Sequence, residues 1–360
     1  MVTTYLRRFY SSFVAYVVDV PARLLSFLCL LLLLSFPIAL PVTTKSAYIL
    51  FVMIIANIMA IYASSWDLLV GRTGQISLGH SLFFGVGAYT TALLCTYVGL
   101  PLWATIPLGV LVGTLLAVPV GLPALRVKGP YLALVTMALP LIATGIVIYF
   151  REWTGGEHGL YGLPRFFPFL DIYEQRVGEY YLTLIFLFIS AVILYKIANS
   201  KTGIVLVSIL DDELASKACG INITRYKLMA FTVSACFASL AGGLHAHFLR
   251  TAGPTTSLSM TLSFYAVIIT TLGGIGSIYG PIAGAFILYL LDQYFLTMVV
   301  EVPMVWHPII FLVIVVLFII KWPRGIARIV VEDVLEELSK ARELEERGKH
   351  IWKKYRKKKK

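Results

Sequence analysis

Long apolar runs, broken by short polar or glycine-rich stretches, set the pattern of this chain. Ten such runs stand out: Leu24–Leu40, Ala47–Ala63, Gly79–Val98, Trp103–Gly121, Tyr131–Phe150, Tyr180–Ala198, Leu228–Leu249, Leu262–Leu272, Pro281–Thr297 and Val305–Ile320. A helix crossing the hydrocarbon core needs about 20 mostly apolar residues. The runs therefore predict an all-α, polytopic integral membrane protein with eight to ten transmembrane helices. Leu262–Leu272 crosses only if it extends to either side.

The longest polar interruption is Ser200–Lys227. Within it Leu206, Leu210, Leu214 and Ala218 recur every fourth residue, the spacing of one helix face, while Asp211, Asp212, Glu213 and Lys217 project elsewhere. Ser208 and Asp211 have the spacing of a capping box, and Gly220 stands where a helix end favours positive φ. Ile221 to Thr224 then restarts a helix that runs into Leu228. A short amphipathic helix between two spans lies either in the lipid headgroups or against a soluble partner.

Two glycine-rich breaks interrupt the apolar runs, Gly71 to His80 and Leu272 to Pro281. Non-helical backbone at membrane depth survives only where protein or a water-filled cavity satisfies it, and in transporters it often marks the path. Small residues that let helices approach closely are the other explanation, and Gly85/Gly87 and Gly280/Gly284 suit it. Polar residues in or beside spans are candidates to line a path: Asn57, Asp67, Gln75, Ser77, His80 and Thr136, with Gly273, Gly274 and Gly276 at the second break. A lone histidine such as His80 is more often a hydrogen-bonded packing residue than a ligand. His245 and His247, two apart, point to different helix faces and make no metal pair.

Composition agrees with a membrane protein. Hydrophobic residues make up 59% of the chain, charged residues 14%, and mean hydropathy is +0.85, far from a soluble domain. The four cysteines are scattered without a CxxC, so neither a metal site nor a disulfide framework is indicated. With the N-terminus inside and all ten runs crossing, Lys45, Arg151, Arg165, Arg176 and Arg250 fall outside, and the other 25 of the 30 basic residues fall inside. The positive-inside rule thus puts both termini and Ser200–Lys227 on the cytoplasmic side of the cell membrane. The outer loop Arg151–Glu179 faces either a binding protein or plain solvent.

Glu213, Ala215 and Gly220 form E-x-A-x-x-x-x-G, continued by GINITRYKLMAF. This resembles the cytoplasmic coupling loop of ABC importer permeases, most closely the branched-chain amino acid (LivM-type) permeases. TGQISLGHSLFFGVGAY, ALRVKGPYLALVTMA, TGGEHGLYGLP and LGGIGSIYGPIAGA resemble further signatures of that family, in its order, across much of Asn57 to Ala285. The resemblance implies docking of ATP-binding subunits at Ser208, Asp211, Asp212, Glu213, Ala215, Gly220 and Arg225. It also implies a second related permease chain and an extracytoplasmic solute-binding protein. Leu210 stands where the family usually carries Arg, so one polar contact to the ATPase is absent or replaced.

The organisation expected is a cytoplasmic N-terminus (1–23), a permease domain (24–320) holding the coupling loop (199–227), and a basic amphipathic tail (321–360). The tail ends in a polybasic run suited to anionic lipid; nucleic acid is a weaker fit. No G-x-x-x-x-G-K-[ST], H-E-x-x-H or G-x-S-x-G occurs, so no nucleotide site, catalytic residue, metal or cofactor is expected. No intramembrane Asp/Glu/Arg relay is apparent. The competing expectations are an ion-coupled carrier or channel acting without an ATPase, and a permease for urea or short amides.

Overall fold

A computed structural model describes residues 36–37, 44–127 and 129–293, with positions 310, 313, 316, 317, 320, 321 and 325. The chain divides into two units, 1–41 with 327–360, and 42–326; nearly all described residues belong to the second. Most of the first and last apolar runs and all of the tail but Lys321 and Gly325 lie outside the described residues.

Among the described residues, seven helices are long and apolar enough to cross a membrane. Helix α1 (Thr44–Thr73) is followed by α2 (His80–Leu93), which continues as a wider π-type turn to Val98. Then come α3 (Leu102–Ala124), α4 (Pro130–Tyr149) and the short α5 (Arg151–Thr154). Strand β1 (Leu160–Tyr161) precedes α6 (Ile172–Ala198). The connector holds α7 (Lys201–Asp211) and α8 (Glu213–Ala218), and leads into α9 (Ile223–Leu249). Strand β2 (Thr251–Ala252), α10 (Pro254–Ser257), α11 (Met260–Gly273) and α12 (Tyr279–Tyr289) follow. The eighth apolar run does extend: with α10 it forms a 20-residue segment, Pro254–Gly273.

Helix α1 is the centre of the bundle. Of its most apolar window 72% is buried, against 22% for α4, which lies at the periphery. Helices α2 and α9 approach without side chains between them: a Cβ on Gly87 would come within 2.1 Å of the Ser239 carbonyl oxygen, and one on Gly242 within 1.9 Å of that of Phe84. Between lipid-embedded helices such contact is a main source of cohesion, because burial in hydrocarbon offers little. Ser239 Oγ adds a hydrogen bond to the Phe83 carbonyl (2.9 Å) and Ser234 Oγ one to that of Ser65 (2.6 Å).

Helix α6 begins eight residues before the apolar run that announced it. Glu174, Gln175, Arg176 and Glu179, read as outer loop, form its first turns. Gln175 and Glu179 are buried: Arg165 donates to Gln175 Oε1 (2.9 Å), Gln175 donates to Glu179 Oε1 (2.7 Å), and Arg176 pairs with Glu179 Oε2 (3.2 Å). This network was not anticipated from the sequence. It went unread because buried polar residues at helical spacing look like solvent-facing ones until a partner is known. Arg176 also caps the neighbouring rings of Phe51 on α1 and Phe248 on α9, at 5.3 and 4.9 Å from their centroids. Nearby, β1 and β2 pair antiparallel, Leu160 opposite Ala252.

Candidate functional site

The connector turns twice, and each turn has a named cause. Ser200 caps α7, accepting from the Gly203 N–H (3.4 Å). Asp212, with extended backbone, ends α7 and caps α8 by accepting from Leu214 (2.8 Å) and Ala215 (3.0 Å). The capping box expected at Ser208 and Asp211 is therefore not formed. Ser208 lies inside α7, where its hydroxyl donates to the Val205 carbonyl (2.8 Å). The four-residue stripe is not one buried face either: Leu206 is buried, whereas Leu210 on the same helix and Leu214 beyond the bend at Asp212 are 42% and 77% exposed. After Ala218 the Gly220 N–H bonds to Lys217 O and the Ile221 N–H to Ser216 O, with Gly220 at φ 81. This is the Schellman ending that glycine favours. Asn222 then caps α9 through the Arg225 N–H (3.1 Å), as the restart expected at Ile221–Thr224 requires. Glu213 on α8 pairs with Lys227 on α9. Asp211, Ala215, Gly220 and Arg225 remain exposed.

The first break, residues 74–79, joins α1 to α2. Gly74 takes φ 68. Trp66 Nε1 donates to the Ser77 carbonyl (2.7 Å) and the Leu78 N–H to Thr136 Oγ1 (3.0 Å). Thr73 donates to Gln75 Oε1 (3.4 Å). Ser65 Oγ donates to the Tyr62 carbonyl (2.7 Å), so it accepts from His80 Nε2 (2.8 Å). His80 is thus buried and hydrogen-bonded at the head of α2.

The second break, residues 274–278, joins α11 to α12 with Gly274, Gly276 and Ile278 at φ 110, 83 and 59. A β-branched residue in the left-handed region costs on the order of 1–2 kcal/mol. It is held from both sides. Asp67 of α1 accepts from the Ile278 N–H (2.9 Å) and the Gly276 N–H (2.6 Å), and Ser64 Oγ donates to the Ile278 carbonyl (3.3 Å). A Cβ on Gly71 would lie 2.5 Å from Gly276 Cα, and one on Gly325 would lie 2.3 Å from Gly274 Cα. Gly273 likewise backs onto the Gly280 carbonyl. Protein groups thus meet part of the backbone at both breaks, while the buried Ser77 Oγ in the first has no hydrogen-bond partner among the described residues; the small residues are packing contacts as well.

Both breaks close on the same stretch of α1, Ser64 to Gly71. Gln75, Ser77, His80 and Thr136 come together at the first, and Gly273, Gly274 and Gly276 at the second. Asn57 does not join them; it bonds through Nδ2 to Thr183 of α6 (3.1 Å), ten residues back along α1. Sequence reasoning missed Ser64, Ser65 and Gly325 as members, placed Gly71 at the first break alone, and missed that Leu210 touches the first break at Gly74. The glycine pattern pointed to Gly71; nothing local pointed to the rest.

His245 and His247 make no metal site with other residues, and no group of three metal-binding side chains occurs among the described residues. His247 faces the Pro164 carbonyl (3.3 Å) and Thr105 (3.5 Å) instead. A hollow of about 420 Å³ at the start of α11 is lined by Thr255, Thr256, Ser259, Thr261, Leu262 and Tyr265. None of the residues singled out above lines it.

The sequence model of a family described as "Branched-chain amino acid transport system / permease component" matches residues 48–319. The LivM permease protein of the high-affinity branched-chain amino acid transport system of Salmonella typhimurium is 31% identical over 245 residues, 62% of this chain and 57% of that protein. Its Escherichia coli K12 counterpart is 30% identical over the same shares. The ribose import permease protein RbsC of Haemophilus influenzae is 27% identical over 66% of this chain and 76% of its own length. The chain thus spans rather more than half the length of the LivM proteins it matches. No solved structure matches it.

Proposed function

Because the chain belongs to the family of branched-chain amino acid transport permease components, we propose that it is the membrane-spanning subunit of an ABC importer, moving branched-chain or related amino acids inward. Separate ATP-binding subunits supply the energy, a solute-binding protein delivers the substrate outside, and a second related permease chain completes the pore. In this reading the chain is a transport subunit and not itself an enzyme. The 25-to-5 asymmetry of basic residues supports an orientation with the connector in the cytoplasm.

One observation carries the docking reading. The connector presents Leu210 and Leu214 outward beside Asp211, although it is braced by the Glu213–Lys227 pair and a Schellman turn. A helix lying in lipid headgroups also turns its apolar residues outward, into the acyl boundary, but borders them with basic rather than acidic residues. An exposed leucine pair rimmed by acidic groups suits a protein groove better. The urea or short-amide reading differs in substrate only.

Reconstitution tests this. The chain, a related permease, two ATP-binding subunits and the binding protein in liposomes should take up L-leucine only with ATP. Uptake by the permease chains alone, driven by an ion gradient, would reject the proposal in favour of a secondary carrier.

A further inference from the structure

The connector and the two breaks touch in series. The Leu210 side chain rests on Gly74: a Cβ there would come 2.7 Å from Leu210 Cδ1. Three residues back along α1, Gly71 meets Gly276 backbone to backbone. Four residues further back, Asp67 holds the Gly276 and Ile278 N–H groups. At the middle junction, Gly71 against Gly276, no side chain that could yield by changing rotamer intervenes. Contact between backbones passes a displacement on with little loss, since packed interiors are stiff.

We propose that Leu210 is the knob through which movement of the docked connector reaches both helix breaks, and that Asp67 is the latch holding the second break in its present conformation. Both are positioning residues for transport, and the proposal rests on the docking reading above. Leu206 and Ile209 anchor α7 in the bundle and are fully buried; Leu210, next along the helix, alone combines an exposed flank for a partner with a contact on the break. The second break suits a two-state element. Ile278 is strained at φ 59, so release of the Asp67 hydrogen bonds lets the segment relax, and their recovery restores it.

The test uses the assembled complex with L-leucine as substrate. Leu210→Ala should lower L-leucine moved per ATP hydrolysed by roughly tenfold, within the usual range for linked sites, while the ATP-binding subunits copurify as before. Leu210→Met, which refills the contact, should restore most of it. A cysteine replacing exposed Ile275 on the second break, in a chain otherwise free of cysteine, reads the latch directly. Its thiol labelling rate should differ between nucleotide-free and vanadate-trapped complexes; Leu210→Ala should abolish that difference, and Asp67→Asn should give fast labelling in both states. If Leu210→Ala keeps both the transport ratio and the nucleotide-dependent labelling, the relay is wrong although docking stands. If the unmodified chain fails to hold the ATP-binding subunits, both fall together.

Discussion

Glu213 and Lys227 join α8 to the first turns of α9 across the corner at Gly220. The pair is partly exposed, 30% and 10% by side chain, so it contributes at most about 1 kcal/mol to stability. Its consequence is geometric: it fixes the angle between α8 and α9.

Glu213→Arg should therefore separate folding from coupling. Facing Lys227, it replaces attraction by repulsion and reverses a charge on the docking surface. The melting temperature should move by a few degrees at most, while substrate-stimulated ATP hydrolysis falls sharply. Detergent-solubilised melting curves and hydrolysis assays on the assembled complex measure the two.

Gly220→Val acts on the corner itself. No atom lies within 4 Å of where a Cβ would stand, so crowding is not the issue. The strain comes from φ 81 alone, on the order of 1–2 kcal/mol for a β-branched residue. The variant should insert normally and lose ATPase stimulation, whereas Gly220→Asn, which tolerates this conformation, should keep most of it. Equal loss in both would show that the corner matters through something other than its backbone angle.

Orientation is checked by labelling. Glu157 and Lys217 are both exposed, one in the loop before α6 and the other on α8. In a cysteine-free background, cysteines at these sites should react with an impermeant thiol reagent from opposite sides of the membrane. Reaction from one side would overturn the charge-based topology.

How much of this was legible beforehand follows from distance along the chain. The spans were, because an apolar run of sufficient length has few other uses. So were Gly220 and the restart at Ile223, since caps are decided within a turn. The capping box was misplaced because Ser208 and Asp212 are both competent caps, and only the bend selects between them. The hold of Asp67 on Gly276 and Ile278 joins residues about 210 positions apart. Asp67 could be flagged as a polar group needing a partner, but no local pattern names that partner.

Packing between α2 and α9 gives a separate expectation. Gly242→Leu would drive a side chain into the Phe84 backbone, and overpacking of this kind costs typically 1–3 kcal/mol or more. Lower yield of folded protein in detergent should follow, without any specific change in hydrolysis per folded complex. A normal yield would mean that the two helices are free to separate.

Arg176 caps the touching rings of Phe51 and Phe248 and so ties α6, α1 and α9 together at the ends remote from the connector. Under the docking proposal that clasp would act as a fulcrum. A helix of 27 residues such as α9 is about 40 Å long, so a tilt of about 5° about the clasp would swing its far end by about 3.5 Å. Helices pinned at one end would then serve as lever arms, carrying a small push on the connector to the broken segments while the clasped ends stay in place.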